Sequence, residues 1–159
     1  MNSQVLSVQA SLETRLAAWV SFLRAHAATT RELSSRLESQ HGLSLRDYDV
    51  LVQLYVAPKR RMRRIDLSRT VLLSPSGITR LLEGLERAGW VAKESCENDA
   101  RVTWAVLTEA GAAKFEQAQS SHRADIEEIF AARFSDQERD QLAELLGRLP
   151  LHDSGVCNR

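Results

Sequence analysis

The chain has 159 residues, and its 21 Lys and Arg are matched by 21 Asp and Glu, which excludes a uniformly basic nucleic-acid binder. With 43% apolar and 26% charged residues it is neither disordered in composition nor short of core-forming side chains, and its length suits one domain or a small core domain with added helices. The balance is nevertheless segregated: residues 1–57 carry five charges of each sign, 58–107 ten basic against six acidic, and 108–159 six basic against ten acidic, so a polyanion-facing middle is expected on a scaffold of different character.

In chain order, residues 1–10 show neither a basic n-region nor an apolar h-region, so no secretory leader is expected. Leu12, Leu16, Trp19, Phe22 or Leu23, and His26 recur at three- and four-residue steps, the pattern of an amphipathic helix. Thr29 with Glu32 has capping-box spacing and predicts a second helix carrying Leu33 and Leu37 and ending at Gly42. Ser44 with Asp47 opens a third through Tyr48, Leu51, Val52, Leu54 and Tyr55, which Pro58 stops. The longest apolar stretch, residues 50–57, lies here and is broken by Gln53, well short of the roughly 18 residues of a membrane span.

Lys59-Arg60-Arg61-Met62-Arg63-Arg64 reads as a basic loop, followed by a short helix over 65–71 with Ile65, Leu67 and Val71 inward. Ser74-Pro75 is a strong helix start, because serine caps the first free N–H groups and proline needs none at the first helical position. The helix it opens buries Ile78, Leu81, Leu82 and Leu85 and ends at Gly89. Residues 90–95 and 101–107 are β-like runs around the turn at 97–100, which predicts a hairpin. Thr108 caps a long helix through Phe115, Ala118, Ile126, Ile129 and Phe130; Ser135 with Glu138 opens a last one with Leu142, Leu145, Leu146 and Leu149, closed by Pro150. Residues 151–159 read as a flexible tail.

Helix, short helix, turn, capped helix and hairpin, within about fifty residues of basic chain, make a helix-turn-helix with a β-hairpin wing. Opposite the inward face of the second helix stand Ser76, Thr79, Arg80 and Glu83. Ser74, Ser76 and Gly77 keep its first turn small enough to approach a duplex, and a helix N-terminus attracts phosphate. Arg80 can reach a guanine edge in the major groove, and Arg101, near the hairpin tip, suits a narrow minor groove. Arg63 and Arg64, at the end of the basic run, are further candidates for DNA binding.

The stretch 71–91 (VLLSPSGITRLLEGLERAGWV), then Asn98-Asp99-Ala100-Arg101 and Val106-Leu107-Thr108-Glu109-Ala110-Gly111, resembles the MarR family of bacterial winged helix-turn-helix regulators. The resemblance, over residues 12–149, implies a mainly α fold with a small β-hairpin wing, a DNA-binding module over 44–107, and dimerisation helices from 1–43 and 108–150. It implies an obligate homodimer reading a pseudo-palindromic operator in double-stranded DNA, with Arg101 as the wing arginine and Asp99 as the acidic residue that orients it. Two positions depart from the family pattern: Gly84 where many relatives carry a basic residue, and Val102 where the wing usually has glycine. Apolar stripes at both chain ends, beyond what a winged module of about 65 residues needs for cover, independently suggest a closed two-fold dimer.

The family also implies release from DNA by a small aromatic or phenolic effector, and Trp19, His26 and Tyr48, on or near inward faces, are candidates to line its pocket. A metal site would need clustered ligands, whereas His26, His41, His122 and His152 are scattered, so neither metal nor cofactor is expected. Cys96 and Cys157 are too few for a disulfide scaffold and read as inert thiols in a reducing cytoplasm, with a redox- or metal-responsive regulator as the alternative. An enzyme is not expected, because there is no phosphate-binding glycine loop, nucleophile elbow or His-Glu-x-x-His. A protein-binding winged helix is the remaining rival, opposed by Arg80, Arg101 and the run 59–64.

Overall fold

The computed structural model describes the backbone of residues 3–71, 73–96 and 99–149, with side chains over 16–71, 73–74, 76–95 and 102–149. The side chains of Leu12, Cys96, Asp99 and Arg101, and all of 151–159 with His152 and Cys157, lie outside the described residues.

The helices are α1 (Ser3–His41), α2 (Leu45–Val56), α3 (Arg64–Thr70), α4 (Pro75–Arg87), α5 (Glu109–Ile129) and α6 (Asp136–Gly147), with β1 (Arg61–Arg63), β2 (Val91–Cys96) and β3 (Asp99–Leu107) between them. The strands form an antiparallel sheet in the order β1-β3-β2. Among the described residues, helices therefore precede and follow the sheet in the sequence, the order of a winged helix.

Local capping sets most of these boundaries. Ser44 and Asp47 form a reciprocal capping box, the Asp47 N–H donating to Ser44 Oγ at 3.2 Å and the Ser44 N–H to the Asp47 carboxylate at 3.0 Å. Ser135 and Glu138 repeat it at α6. At the end of α4, Gly89 turns to φ 75°, which lets the Trp90 N–H reach back to the Leu85 carbonyl at 2.9 Å and aims the chain into β2.

Buried side chains converge on α2, whose Tyr48, Val50, Leu51 and Leu54 meet Leu37 of α1, Leu67 of α3, Ile78, Leu82 and Leu85 of α4, Val91 and Leu107 of the sheet, and Phe115 and Ala118 of α5. A second tie joins α1 to α5: Arg36 donates to Glu32, Asp125 and Glu128 at 2.8–3.0 Å, and Asp125 is buried. These three carboxylates push the guanidinium pKa still higher, so this cation stays charged at any working pH.

Four expectations change. There is no break at Thr29: α1 runs as one helix of 39 residues, and the neighbouring Thr30 hydroxyl bonds the His26 carbonyl at 2.7 Å instead of ending a turn. The basic run is not a loop throughout, since Arg61–Arg63 forms a third strand against β3. Ile65 is half exposed, because it lies about 200° around the helix from the fully buried Leu67. Leu16, Trp19, Phe22 and Leu23 also stay exposed, their stripe uncovered by this chain's own core.

Gly84 faces open space, with only the tip of the Arg87 side chain, 4.0 Å away, near the position a Cβ would take. Gly84→Ala should therefore raise stability by about 0.5–1 kcal/mol, because alanine loses less backbone entropy in a helix interior. Chemical denaturation checks this; a lower midpoint would show that α4 needs the glycine for packing.

Candidate nucleic-acid interface

The turn between α3 and α4 presents α4 by its N-terminus. Ser74 Oγ accepts the Gly77 N–H at 3.1 Å and lies 3.2 Å from Ser76 Oγ, and the inward residues Ile78, Leu82 and Leu85 fix the helix rotation. That rotation leaves Ser74, Ser76 and Arg80 exposed, with Gly77 and Thr79 half-buried beside them. Arg80 has no carboxylate within ion-pair distance among the described residues. Arg64, the first residue of α3, donates from Nη1 to Thr79 Oγ1 at 3.2 Å, so it joins the face of α4. Ser74, Ser76, Gly77, Thr79, Arg80 and Arg64 thus come together on one surface. Asp99 and Arg101 belong to β3, with side chains outside the described residues.

The basic run divides by partner. Lys59 and Arg60 both have positive φ, 56° and 52°, an uncommon conformation for residues with side chains. Arg60 is held over the Tyr55 ring at 5.3 Å and against Glu109 at 3.3 Å, so it serves the fold. Arg61 pairs with Glu94 at 3.6 Å, and both Arg61 and Arg63 lie over the Trp104 ring, at 4.9 and 5.5 Å from its centroid. Arg63 is exposed and has no carboxylate partner among the described residues. Trp104 and strand β1 were missed in the sequence, where the only signal was Met62 alternating between two arginines.

The three effector candidates do not gather. Trp19 is 55% exposed on α1, where its ring, Phe22 and His26 form a ladder at 6.1 and 6.3 Å. Tyr48 lies in the core, 5.5 Å from Phe115 and 4.4 Å from His122. His26 alone lines a cleft of about 710 Å³, shared with Arg31 and Ser34 of α1, Arg46 and Asp49 of α2, and Leu73 just before the α4 cap. Among the described residues no three His, Cys, Asp or Glu side chains cluster as metal ligands, and no helix is long and apolar enough to cross a membrane.

His122 is buried on α5 beside Tyr48 of α2, with its Nδ1 unpaired among the described residues; Asp125 on its own helix and His41 of α1 are the titratable neighbours that act on it. Burial lowers its pKa below 6.5, His41 adding to and Asp125 opposing the shift. A base with a depressed folded pKa binds fewer protons than in the unfolded chain, so stability is fully present above about pH 6.5 and is lost as pH falls through the folded value. Unfolding measured from pH 5 to 8 at fixed protein concentration should show that loss in the parent chain and a flatter profile in His122→Leu; parallel profiles would remove His122 as its source.

Over residues 41–102 the chain matches the family model described as MarR family. It is 32% identical over 108 residues to the HTH-type transcriptional repressor YetL of Bacillus subtilis (strain 168), an alignment covering 68% of this chain and 64%, just under two thirds, of YetL. Among solved structures it is similar to AbsC, a MarR family transcriptional regulator from Streptomyces coelicolor, at 30% identity and TM-score 0.79 over 84% of this chain and 89% of AbsC. It is also similar to Sco3205, a MarR family transcriptional regulator from the same organism solved in complex with DNA, at 25% identity and TM-score 0.80 over 83% of this chain and 82% of Sco3205.

Proposed function

Because the chain belongs to the MarR family of transcriptional regulators, we propose that it is a homodimeric repressor that occupies a pseudo-palindromic operator and leaves it when a small aromatic acid binds. The observation that carries this reading is the presentation of α4: a serine-capped N-terminus with Ser76 and Arg80 exposed, Arg80 without a carboxylate partner among the described residues, and Arg64 bonded to Thr79 on the same helix. Backbone N–H groups and arginines of this kind suit phosphate, and an arginine on the outer face of a recognition helix suits guanine. In this reading Ser74, Ser76, Gly77, Thr79 and Arg80 enter the major groove, Arg63 and Arg64 meet the flanking backbone, and Arg101, oriented by Asp99, reaches the minor groove.

Residues 44–107 would form the reading module and 1–43 with 108–150 the dimerisation region. Supporting this, α1 exposes Leu16, Trp19, Val20, Phe22 and Leu23, while Ile126, Phe130, Leu145 and Leu149 are exposed towards the other end of the chain, more apolar surface than a lone subunit leaves without purpose. YetL is named a repressor, which supports repression as the direction of control. For the effector, His26, Arg31 and Arg46 offer positive or polarisable groups beside apolar Leu45, Val71 and Leu73, a lining that suits an aromatic carboxylate. The cleft also touches the turn that sets α4, so occupancy there would move the recognition helices.

The test is binding to the duplex upstream of the protein's own gene, by footprinting and by gel shift, with molar mass measured in parallel. Expected are a protected two-fold site, a mass of two chains, and displacement by benzoate- or phenol-type acids. A monomer in solution, or no retention of duplex at low ionic strength, would overturn the reading.

A further inference from the structure

The sheet has two faces of different kind. Register pairs Arg63 with Trp104 and Trp104 with Glu94, and places Arg61 beside Val106, so Arg61, Arg63, Trp104 and Glu94 share the outer face. The other face carries the buried Val91, Ala105 and Leu107 and the core-packed Met62. On the outer face two guanidinium groups converge on a single indole, and among the described residues only Arg61 is matched by a carboxylate. Like charges brought together this way repel, and one positive charge is left over for an outside anion. A free arginine side chain must also lose considerable rotamer freedom to hold a phosphate, and a ring that already orients the guanidinium removes part of that cost. Arg63 is followed directly by Arg64, which touches Thr79 on the recognition helix, so one peptide bond joins the residue carrying the leftover charge to a residue bonded to α4.

We propose that Trp104 is a positioning residue for DNA binding: its indole holds Arg63 ready to contact a backbone phosphate next to the groove that α4 enters, while Glu94 keeps Arg61 at the ring. This rests on the DNA-reading function proposed above and adds a contact surface on the outer face of the sheet, distinct from the hairpin tip.

Operator binding is measured against salt for the parent protein, Arg63→Ala, Trp104→Phe, two truncations Trp104→Leu and Trp104→Val, and Arg63→Ala combined with each truncation. Melting temperature identifies which truncation is folded, and either one suffices. Arg63→Ala should lower the slope of log K against log salt by about 1 per subunit. The truncation should weaken binding about three-fold, and Trp104→Phe should stay within about two-fold of the parent. The double variant should bind no worse than Arg63→Ala alone, which a ring with a merely structural role would not produce. The proposal is overturned if Arg63→Ala leaves the slope unchanged, or if the two substitutions multiply in the double variant. Failure of the parent protein itself to bind duplex would instead sink the functional reading beneath it.

Discussion

Gly111→Ala should be the most damaging single substitution in the described fold. A Cβ at this position would lie 2.0 Å from the Trp90 carbonyl oxygen and 2.9 Å from its carbon, with the Leu107 side chain at 2.8 Å. No rotamer change relieves a clash with a main-chain carbonyl, so α5 must retreat from the sheet. The same junction carries the Thr108 cap, whose hydroxyl donates to the Gly89 carbonyl at 2.7 Å and accepts the Gly111 N–H at 3.0 Å, and whose own N–H donates to Trp90 at 3.1 Å. Overpacking alone costs about 1–3 kcal/mol, and lost capping about 1 more. The melting temperature should fall by roughly 10 °C, given about 2–4 °C per kcal/mol at this size. The run Leu107-Thr108-Glu109-Ala110-Gly111 is thereby explained: threonine starts the helix, and glycine lets it lie on the backbone at the foot of the wing. A variant melting within 2 °C of the parent would show that this approach is not tight in solution.

The second large effect is expected on DNA. Arg80 is exposed, unpaired by any carboxylate among the described residues, and held on the outer face of α4 by Ile78, Leu82 and Leu85. Arg80→Ala should leave the melting temperature in place and cost about 1–3 kcal/mol per half-site, roughly 5- to 150-fold, with preference relaxed at one base position in each half. Binding to a set of operators varied one base at a time separates the possibilities. Uniform weakening would reassign Arg80 to phosphate, and unchanged affinity would remove it from the interface.

What the sequence made legible was mostly local. The Ser44–Asp47 and Ser135–Glu138 boxes, Ser74-Pro75 and Thr108 each bond within three residues of themselves, so spacing alone reveals them. Thr29 with Glu32 shows the limit of that signal. A cap is worth about 1 kcal/mol, and with no glycine or proline between residues 12 and 41 the continuing backbone bonds win. Ile65 and Leu67 illustrate a second limit: two apolar residues two apart cannot both face inward from a helix, and the core keeps Leu67. The inward position of Tyr48 was readable, but periodicity does not distinguish a core contact with His122 from a pocket wall.

Within the site, the start of α4 was legible because small and capping residues mark it. The pairing of Arg64 with Thr79, the diversion of Arg60 to Glu109, and the indole under Arg61 and Arg63 were not, because each joins segments 15 to 49 residues apart. A strand of three residues, two of them arginine, is held by backbone pairing with β3 and leaves almost no side-chain signature.

The left-handed pair at Lys59 and Arg60 has a mechanical consequence. Each such residue stores energy of order 1 kcal/mol or more in its backbone, and it persists only while something holds it. Arg60 contacts Tyr55 and, at the first turn of α5, Glu109; the latter is an exposed ion pair that contributes only a part of that restraint. Pulling α5 aside would release the Arg60–Glu109 grip, and the chain just ahead of β1 could then unwind towards ordinary angles. α5 thus meets the approach to the cationic edge at the surface, through Arg60 and Glu109, as well as through the hydrophobic interior.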